Sequence, residues 1–380
     1  MLVPITGTDS SLRSYSYVAF VPDPLPATMN LEDATWRRIV SATAALARLD
    51  QAAQMIPDPA LLRRPTLRRE AQSTSALEGT HAAFTDVLEA DLDRDLEHRS
   101  PEVREVFNYV VAAEHAFDWV QERPISLGML QDLHGMLVRG TRGETHDPGR
   151  LRQRQVVIGS YAGAPIEEAR FVPPPPGDQL QSGLEHLLDW INDSASRELP
   201  LVRAALAHYQ FETLHPFADG NGRIGRLLIV LQLMREAALK HPVLIVSPWF
   251  EARRREYQDH LLRVSQTGDY DEWIRFFCTG LEAQIASTAD RLQQLIGLQS
   301  RIDALLDAQR VRGVASDVAR GIIGRPVVTP SWAADEFNVS YTAANNAVGK
   351  LVELGILEEM TGRSYGRIFA NRDALRLLEQ

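Results

Sequence analysis

Twelve consecutive residues, HPFADGNGRIGR at 215–226, bring together an imidazole, a carboxylate, three glycines and two guanidiniums. Gly220, Gly222 and Gly225 form a literal G-x-G-x-x-G, a pattern that can mark a dinucleotide-binding turn. That turn requires a preceding strand, and an acidic residue roughly 20 positions further on for the ribose. Here RAALAHYQFETL precedes the motif and reads as a helix, while KHPVLIV, at the distance of the acid, has none. A Walker loop fails for want of Gly-Lys-Ser/Thr. The bland reading is a helix–loop–helix turn whose glycines only relieve strain. It fits poorly, because GRIGRLLIVLQLM is apolar on nearly every face after Arg226, and such a helix is buried. Its N-terminus then offers free backbone N–H groups and the positive end of the helix dipole, which bind anions. Arg223 and Arg226 in the first turn oppose that dipole unless an anion is present. The pattern points to a polyphosphate. Asp219 can hold Mg²⁺ against phosphate oxygens. His215, four residues earlier, can take a proton from an attacking hydroxyl near neutral pH. Pro216 and Phe217 read as anchors of the loop in the core.

The elements that must position this loop are mostly helical. Residues 1–30 read as an extended arm set by Pro22, Pro24 and Pro26. LEDATWRRIVSATAALARLD places Trp36, Ile39, Leu46 and Leu49 at helical spacing. A second helix is expected from about Ala60 to Glu78, stopped by Gly79. PEVREVFNYVVAAEHAFDWV opens on Pro101, which suits a first helical turn. Further helices are expected near 126–138, 178–192, 199–213, 223–239, 249–265 and 270–309. One stretch breaks the pattern: RQVVIGS and ARFVPPPP flank a loop with Gly163 and read as a β-hairpin ended by Pro173–Pro176. After a boundary near 300–315, a helix from Ser331, a turn near Asn338, a helix from Ser340 to Leu354 and a hairpin around Gly362 follow the winged-helix pattern.

The segment HPFADGNGRIGR resembles the signature of the Fic family, H-x-F-x-[D/E]-G-N-G-R-x-x-R, at every fixed position. Fic enzymes mostly transfer AMP from ATP to a hydroxyl of a target protein. The resemblance therefore implies a mainly α fold, with a Fic helical core, a β-hairpin flap and a C-terminal winged-helix domain. It implies His215 as general base and Asp219 as the Mg²⁺ ligand. It implies a phosphate cradle made of Gly220, Asn221, Gly222, Arg223, Ile224, Gly225 and Arg226. Kinase-like relatives of the Doc type replace the second glycine of this loop, so Gly222 favours nucleotidyl transfer. By the same resemblance the flap, with Ile158, Gly159 and Ser160 at its tip, docks the target, and Tyr257 lies near the adenine. A plain surface hairpin and an ordinary core tyrosine are the alternatives. The domains read as 1–100 (arm and N-terminal helices), 101–300 (catalytic core) and 313–380 (winged helix).

STSALEGT, residues 73–80, raises a separate point. Glu78 falls at the negative end of a helix dipole, which costs roughly 0.3–1 kcal/mol without a partner. On helix position alone it reads as an exposed glutamate screened by water. The stretch also resembles the Fic inhibitory motif, [S/T]-x-x-x-E-[G/N], through Thr74, Glu78 and Gly79. In that family the glutamate pairs with the arginine matching Arg226 and blocks the γ-phosphate seat, which implies an autoinhibited resting enzyme.

Composition bounds the alternatives. The chain has 380 residues, enough for two or three domains. Its net charge of -10 argues against bulk electrostatic binding of nucleic acid. Residues 301–380 carry about equal numbers of basic and acidic side chains, so a DNA-binding winged helix has no strong electrostatic footprint, although Arg363 and Arg367 flank its wing tip. A nucleotide-sensing DNA-binding regulator stays open, as do transfer of another phosphate-containing group, removal of AMP, and a homodimer. Cys278 is the sole cysteine, which excludes an intrachain disulfide and suits a cytoplasmic protein. No signal peptide is expected at the start. The longest apolar run, LLIVLQLM, is far short of the roughly 20 residues that span a bilayer. The resemblance implies a protein target carrying a Ser, Thr or Tyr hydroxyl, with the chain itself as one candidate; the sequence does not name the target.

Overall fold

The computed structural model describes residues 1–8, 14–54, 60–90, 98–145, 147–159, 165–362 and 366–379. In chain order the elements are β1 (Leu2–Thr8), β2 (Ser14–Phe20), α1 (Asp33–Gln54), α2 (Ala60–Leu77), α3 (Phe84–Ala90), α4 (Pro101–Glu122), α5 (Leu127–Val138), β3 (Ile158–Gly159), β4 (Ala169–Phe171), α6 (Asp178–Asn192) and α7 (Pro200–Leu214). They continue as α8 (Asn221–Arg235), α9 (Ser247–Glu251), α10 (Arg254–Thr267), α11 (Asp271–Ala308), α12 (Val314–Gly321), β5 (Val327–Val328), α13 (Pro330–Glu336), α14 (Tyr341–Glu353), β6 (Glu358–Glu359), β7 (Phe369–Ala370) and α15 (Arg372–Glu379).

Helices α7 and α8 form the centre, and every residue of α8 from Asn221 to Leu233 is buried, as the nearly all-round apolar surface after Arg226 requires. Helices α4 and α5 pack on α8, and α1 lies along α11. Serine caps fix two of these helices: Ser100 accepts from the Val103 N–H at 3.3 Å at the start of α4, and Ser126 from the Met129 N–H at 3.2 Å at the start of α5. Helix α2 packs against α4, α8 and α9. Its buried Glu70 accepts from the N–H groups of Val246 and Ser247 at 2.8 and 2.9 Å, capping the N-terminus of α9. The expected helix at 249–265 is therefore two helices, α9 and α10. Helix α8 begins at Asn221, two residues before its expected start.

The first residues are not a single extended arm. β1 and β2 pair antiparallel from Leu2↔Phe20 to Thr8↔Ser14. Ile5 and Ala19 on the inner face share a core with Ile166 and Val172, so this hairpin backs the predicted flap. The period-two pattern of ITGT and SYSYVAF, on either side of the turn-rich DSS, carried that signal. The flap itself is short: β3 and β4 pair through Ile158↔Phe171 and Gly159↔Ala169. Gly163 and Ser160 lie outside the described residues.

At the C-terminal end, Thr329 caps α13 and Ser340 caps α14 through Oγ acceptors at 3.1 and 3.2 Å. β5, β7 and β6 form one antiparallel sheet in that order. Leu298, Ile302 and Leu306 of α11 share a core with Val318, Val348 and Phe369, so α11 runs into this unit. Ile323, Val327, Leu375 and Leu378 instead join the main core. Among the described residues, no helix is long and apolar enough to cross a membrane.

Candidate active site

The α7–α8 junction places the motif. Helix α7 ends on His215, whose backbone is left-handed (φ 49°, ψ 61°). The chain turns through Gly220, also left-handed at φ 76°, where a Cβ would stand 2.9 Å from Leu137 Cδ2. The Asn221 side chain is turned back on the loop. It is 2% exposed, and its amide both accepts from the Phe217 N–H and donates to the Phe217 carbonyl at 2.8 Å, clamping the loop. Phe217 is fully buried and stacks on His134 at 4.2 Å. The Ile224 side chain is buried near Tyr109 and Leu133, and its N–H donates to the Gly220 carbonyl.

The two arginines are not unpaired charges against the dipole. Arg223, 2% exposed, pairs with Glu105 at 2.6 Å and approaches Asp219 at 3.5 Å. Arg226, also 2% exposed, donates from Nε to Thr74 Oγ1 at 2.7 Å, and from Nη2 to the Thr74 carbonyl at 3.0 Å and Glu78 Oε1 at 2.6 Å. Thr74 lies in α2, and Glu78 follows the helix just before Gly79, which is left-handed at φ 91°. Burial pushes the Glu78 carboxyl up, but the Arg226 charge and hydrogen bond outweigh it and hold the group below its ordinary range. A Cβ at Gly222 would meet Glu78 Oε1 at 2.0 Å, so the carboxylate occupies space that exists because residue 222 is glycine.

A cleft of about 780 Å³ opens here. His215, Gly222, Arg226, Glu78, Ile158, Phe171 and Leu261 are among the residues that line it. Burial lowers the His215 imidazole to about 4, with Arg152 adding to the effect, so the ring is neutral at pH 7. Its Nδ1 lies 3.3 Å from the Glu212 carbonyl. A carbonyl only accepts, so Nδ1 carries the proton and Nε2 keeps its lone pair. Tyr257 lines the cleft but is 4% exposed, and its hydroxyl is 2.7 Å from His208 Nε2. His208 Nδ1 is bound to the Gly225 carbonyl at 2.8 Å, so Nε2 accepts and the tyrosine donates. Tyr257 is thus a buried, hydrogen-bonded core tyrosine with one face on the cleft.

Asp219 Oδ1 accepts from the Gly220 N–H at 2.6 Å, and its side chain is 48% exposed. Among the described residues, no cluster of three His, Cys, Asp or Glu side chains is placed to hold a metal. A lone loop carboxylate still suits Mg²⁺, which takes one or two carboxylates together with substrate phosphates.

Three functional candidates escaped the sequence. Glu212 lines the cleft, its Oε1 is buried without a hydrogen bond, and a Cβ at Gly225 would meet it at 2.4 Å. Burial raises its carboxyl to about 7 despite Arg226, with Glu78 adding to the rise. Arg152 is 2% exposed beneath His215, and Arg170 of the flap bonds to Gln258 at 3.3 Å and pairs with Asp259 of α10. Glu212 lies one turn before His215 on α7, a spacing that was available as a signal; nothing in the sequence around Arg152 or Arg170 marked them.

Two family models match the chain: Fic/DOC family N-terminal over residues 36–118 and Fic/DOC family over 124–233. The chain carries Fic/DOC family domains. It is 33% identical over 181 residues to the Protein adenylyltransferase Fic of Drosophila willistoni, which covers 46% of this chain and 32% of that protein. It is 35% identical over 140 residues to the Protein adenylyltransferase fic-1 of Caenorhabditis elegans, covering 37% of this chain and 24% of that one. The chain thus spans about a third or less of the length of these curated relatives. In fold it is similar to a Fic family protein from Desulfovibrio desulfuricans G20, with TM-score 0.57, 23% identity and coverage of 90% of this chain and 97% of that one. It is also similar to Fic-1 from C. elegans, with TM-score 0.51, 24% identity and coverage of 68% and 73%.

Proposed function

We propose that the protein is an adenylyltransferase that moves AMP from ATP to a Ser, Thr or Tyr hydroxyl of a target protein and that Glu78 holds at rest. The observation that carries this reading is the convergence of His215, Gly222, Arg226 and Glu78 on one cleft at the N-terminus of α8. The N–H groups of that helix end, the Gly222 surface and the Arg226 guanidinium form the phosphate cradle. Glu78 occupies the Arg226 fork that a terminal phosphate would otherwise take. Its withdrawal exchanges one anion for another on a buried arginine.

In the transfer, His215 Nε2 accepts the proton of the target hydroxyl as its oxygen bonds the α-phosphorus. The bond to the β-phosphate breaks and pyrophosphate leaves. An imidazole at about 4 is a weak base. The triphosphate's negative charge raises it toward the working range. Asp219 would hold Mg²⁺, which offsets charge on the triphosphate and the leaving pyrophosphate. The flap places the hydroxyl by adding an extended target segment to its short sheet, beside Ile158 and Gly159. The C-terminal helices and three-stranded sheet fit a winged-helix module that selects targets. The test is incubation with α-labelled ATP, Mg²⁺ and a cell lysate, read by gel and mass spectrometry. Glu78→Gly should label proteins, itself included, with an AMP adduct, and Glu78→Gly with His215→Ala should not. Absence of an AMP adduct in every sample would overturn the reading.

A further inference from the structure

We infer that Arg152 is a positioning residue that sets the register between the flap and the His215 base. The inference rests on the transferase reading above. The Arg152 guanidinium donates from Nε to the His215 carbonyl at 2.8 Å, and from Nη2 to the Leu214 carbonyl at 3.4 Å and to the Pro174 carbonyl. Nη1 reaches the Arg154 carbonyl at 3.4 Å, and the Arg152 backbone N–H donates to the Pro216 carbonyl at 3.0 Å. One buried side chain thereby joins the segment entering the flap, the segment leaving it, and the end of α7 that carries His215.

Two features of the fold make that junction necessary. The flap has only two residues in β3 and three in β4, so its own ladder does little to fix where it stands. Its stems decide that, and both are tied here; Gln155 Nε2 also donates to the Pro173 carbonyl at 2.9 Å. His215 sits in the left-handed region, which a residue with a Cβ adopts only when its surroundings hold it there. The last carbonyls of α7 lack intrahelical partners, and a cation at a helix C-terminus is favourable. A planar fork of five donors can serve carbonyls from three segments at once, and a lysine ammonium cannot. An error of about 1 Å between nucleophile and base costs on the order of 10²-fold in rate.

The experiment uses the full chain carrying Glu78→Gly, alone and combined with Arg152→Gln or Arg152→Lys. Self-modification is followed with α-labelled ATP at varied concentration, together with ATP affinity by calorimetry and Tm. Arg152→Gln should lower kcat by roughly 10²-fold while KM and Kd for ATP stay within a few-fold. Arg152→Lys keeps the charge and should still lose about tenfold or more. The ring resonance of His215, read on histidine-labelled protein, should move in both variants. A fall in ATP affinity that matches the fall in kcat assigns Arg152 to general structure and overturns the inference. Full activity of the lysine variant does the same, and carries the test if the glutamine variant does not fold. If Glu78→Gly alone transfers no AMP, the transferase reading fails by itself. The His215 resonance then decides the positioning role, and an unmoved ring overturns it.

Discussion

Arg226 Nη2 donates to Glu78 Oε1 at 2.6 Å, joining residues 148 apart in sequence, and the arginine end of that pair is 2% exposed. Thr74 fixes the same guanidinium through its hydroxyl and carbonyl. Two charges that are each unfavourably placed on their own helix thus satisfy one another: an acid just past the C-terminus of α2 and a base in the second turn of α8. Removing the acid leaves a buried guanidinium whose best available partner is a phosphate. Glu78→Gly is therefore expected to raise self-modification with labelled ATP tenfold or more, equivalent to about 1.4 kcal/mol of lost competition. Adding Arg226→Ala should abolish most of the gain. Equal rates for wild type and Glu78→Gly would show that the pair does not restrain catalysis.

The second prediction concerns acid. Burial disfavours the His215 imidazolium and holds the group near 4, well below an ordinary histidine. Arg152 depresses it further, while Glu78 and Asp219 act the other way. As pH falls from 7, the base stays free until that region is reached. kcat/KM of Glu78→Gly reports the free enzyme, so its acid limb should lie near pH 4, not at 6.5. His215→Ala should abolish transfer with ATP affinity within a few-fold. An acid limb of kcat/KM at the ordinary histidine position, near 6.5, would contradict the burial seen here.

Glu212 gives the third. Its carboxyl is raised to about 7, so it is neutral below that pH in the fold and ionised above it. The unfolded chain ionises this group near 4.5. Its contribution to stability is therefore intact below about 4.5 and is lost as pH rises to about 7. Glu212→Gln should raise Tm at pH 8 and change it little at pH 4. ATP binding should also weaken above pH 7 in wild type, as a carboxylate appears beside the triphosphate, and stay flat in the variant. A Tm difference of the same size at both pH values would remove the titration from the account.

What the sequence disclosed follows from how local each signal is. The loop was legible because twelve adjacent residues carry it, and the helix ends at Asp178 and Asn192 because helical periodicity is local. The Asn221 clamp on Phe217 and the burial of the Ile224 side chain were not, because a polar or apolar residue inside a motif looks the same whether it faces a ligand or the core. Arg152 was invisible because its partners are backbone carbonyls at 154, 174, 214 and 215, which no side-chain pattern encodes. The β1–β2 hairpin was missed because three prolines following it dominated the reading. The pairing of Arg223 with Glu105 of α4 depends on helix packing, which residue spacing does not state.

The fourth prediction concerns the C-terminal unit. A C-terminal unit attached only through α11 would be dispensable for chemistry. The structure gives this unit a second attachment. Helix α15 packs on both α11 and α2, with Leu375 and Leu378 buried in the same core as Leu67, Ala71 and Leu77 of α2. Arg68 of α2, 2% exposed, also reaches the Gly324 carbonyl at 3.4 Å. Helix α2 is the element that presents Thr74 and Glu78 to Arg226. It is held on one flank by Glu70 at the N-terminus of α9 and on another by the C-terminal unit. Burial of a leucine contributes about 1.5–3 kcal/mol, so placing carboxylates at 375 and 378 exceeds what that docking can tolerate. Leu375→Asp with Leu378→Asp in the full chain should therefore loosen α2 and raise self-modification several-fold, without raising it further in a Glu78→Gly background. The non-additive result is the decisive part, because both changes act on one restraint. A double aspartate variant that folds, undocks α15 by hydrogen exchange and keeps the wild-type rate would leave Glu70 and the α4 contact as sufficient to seat Glu78.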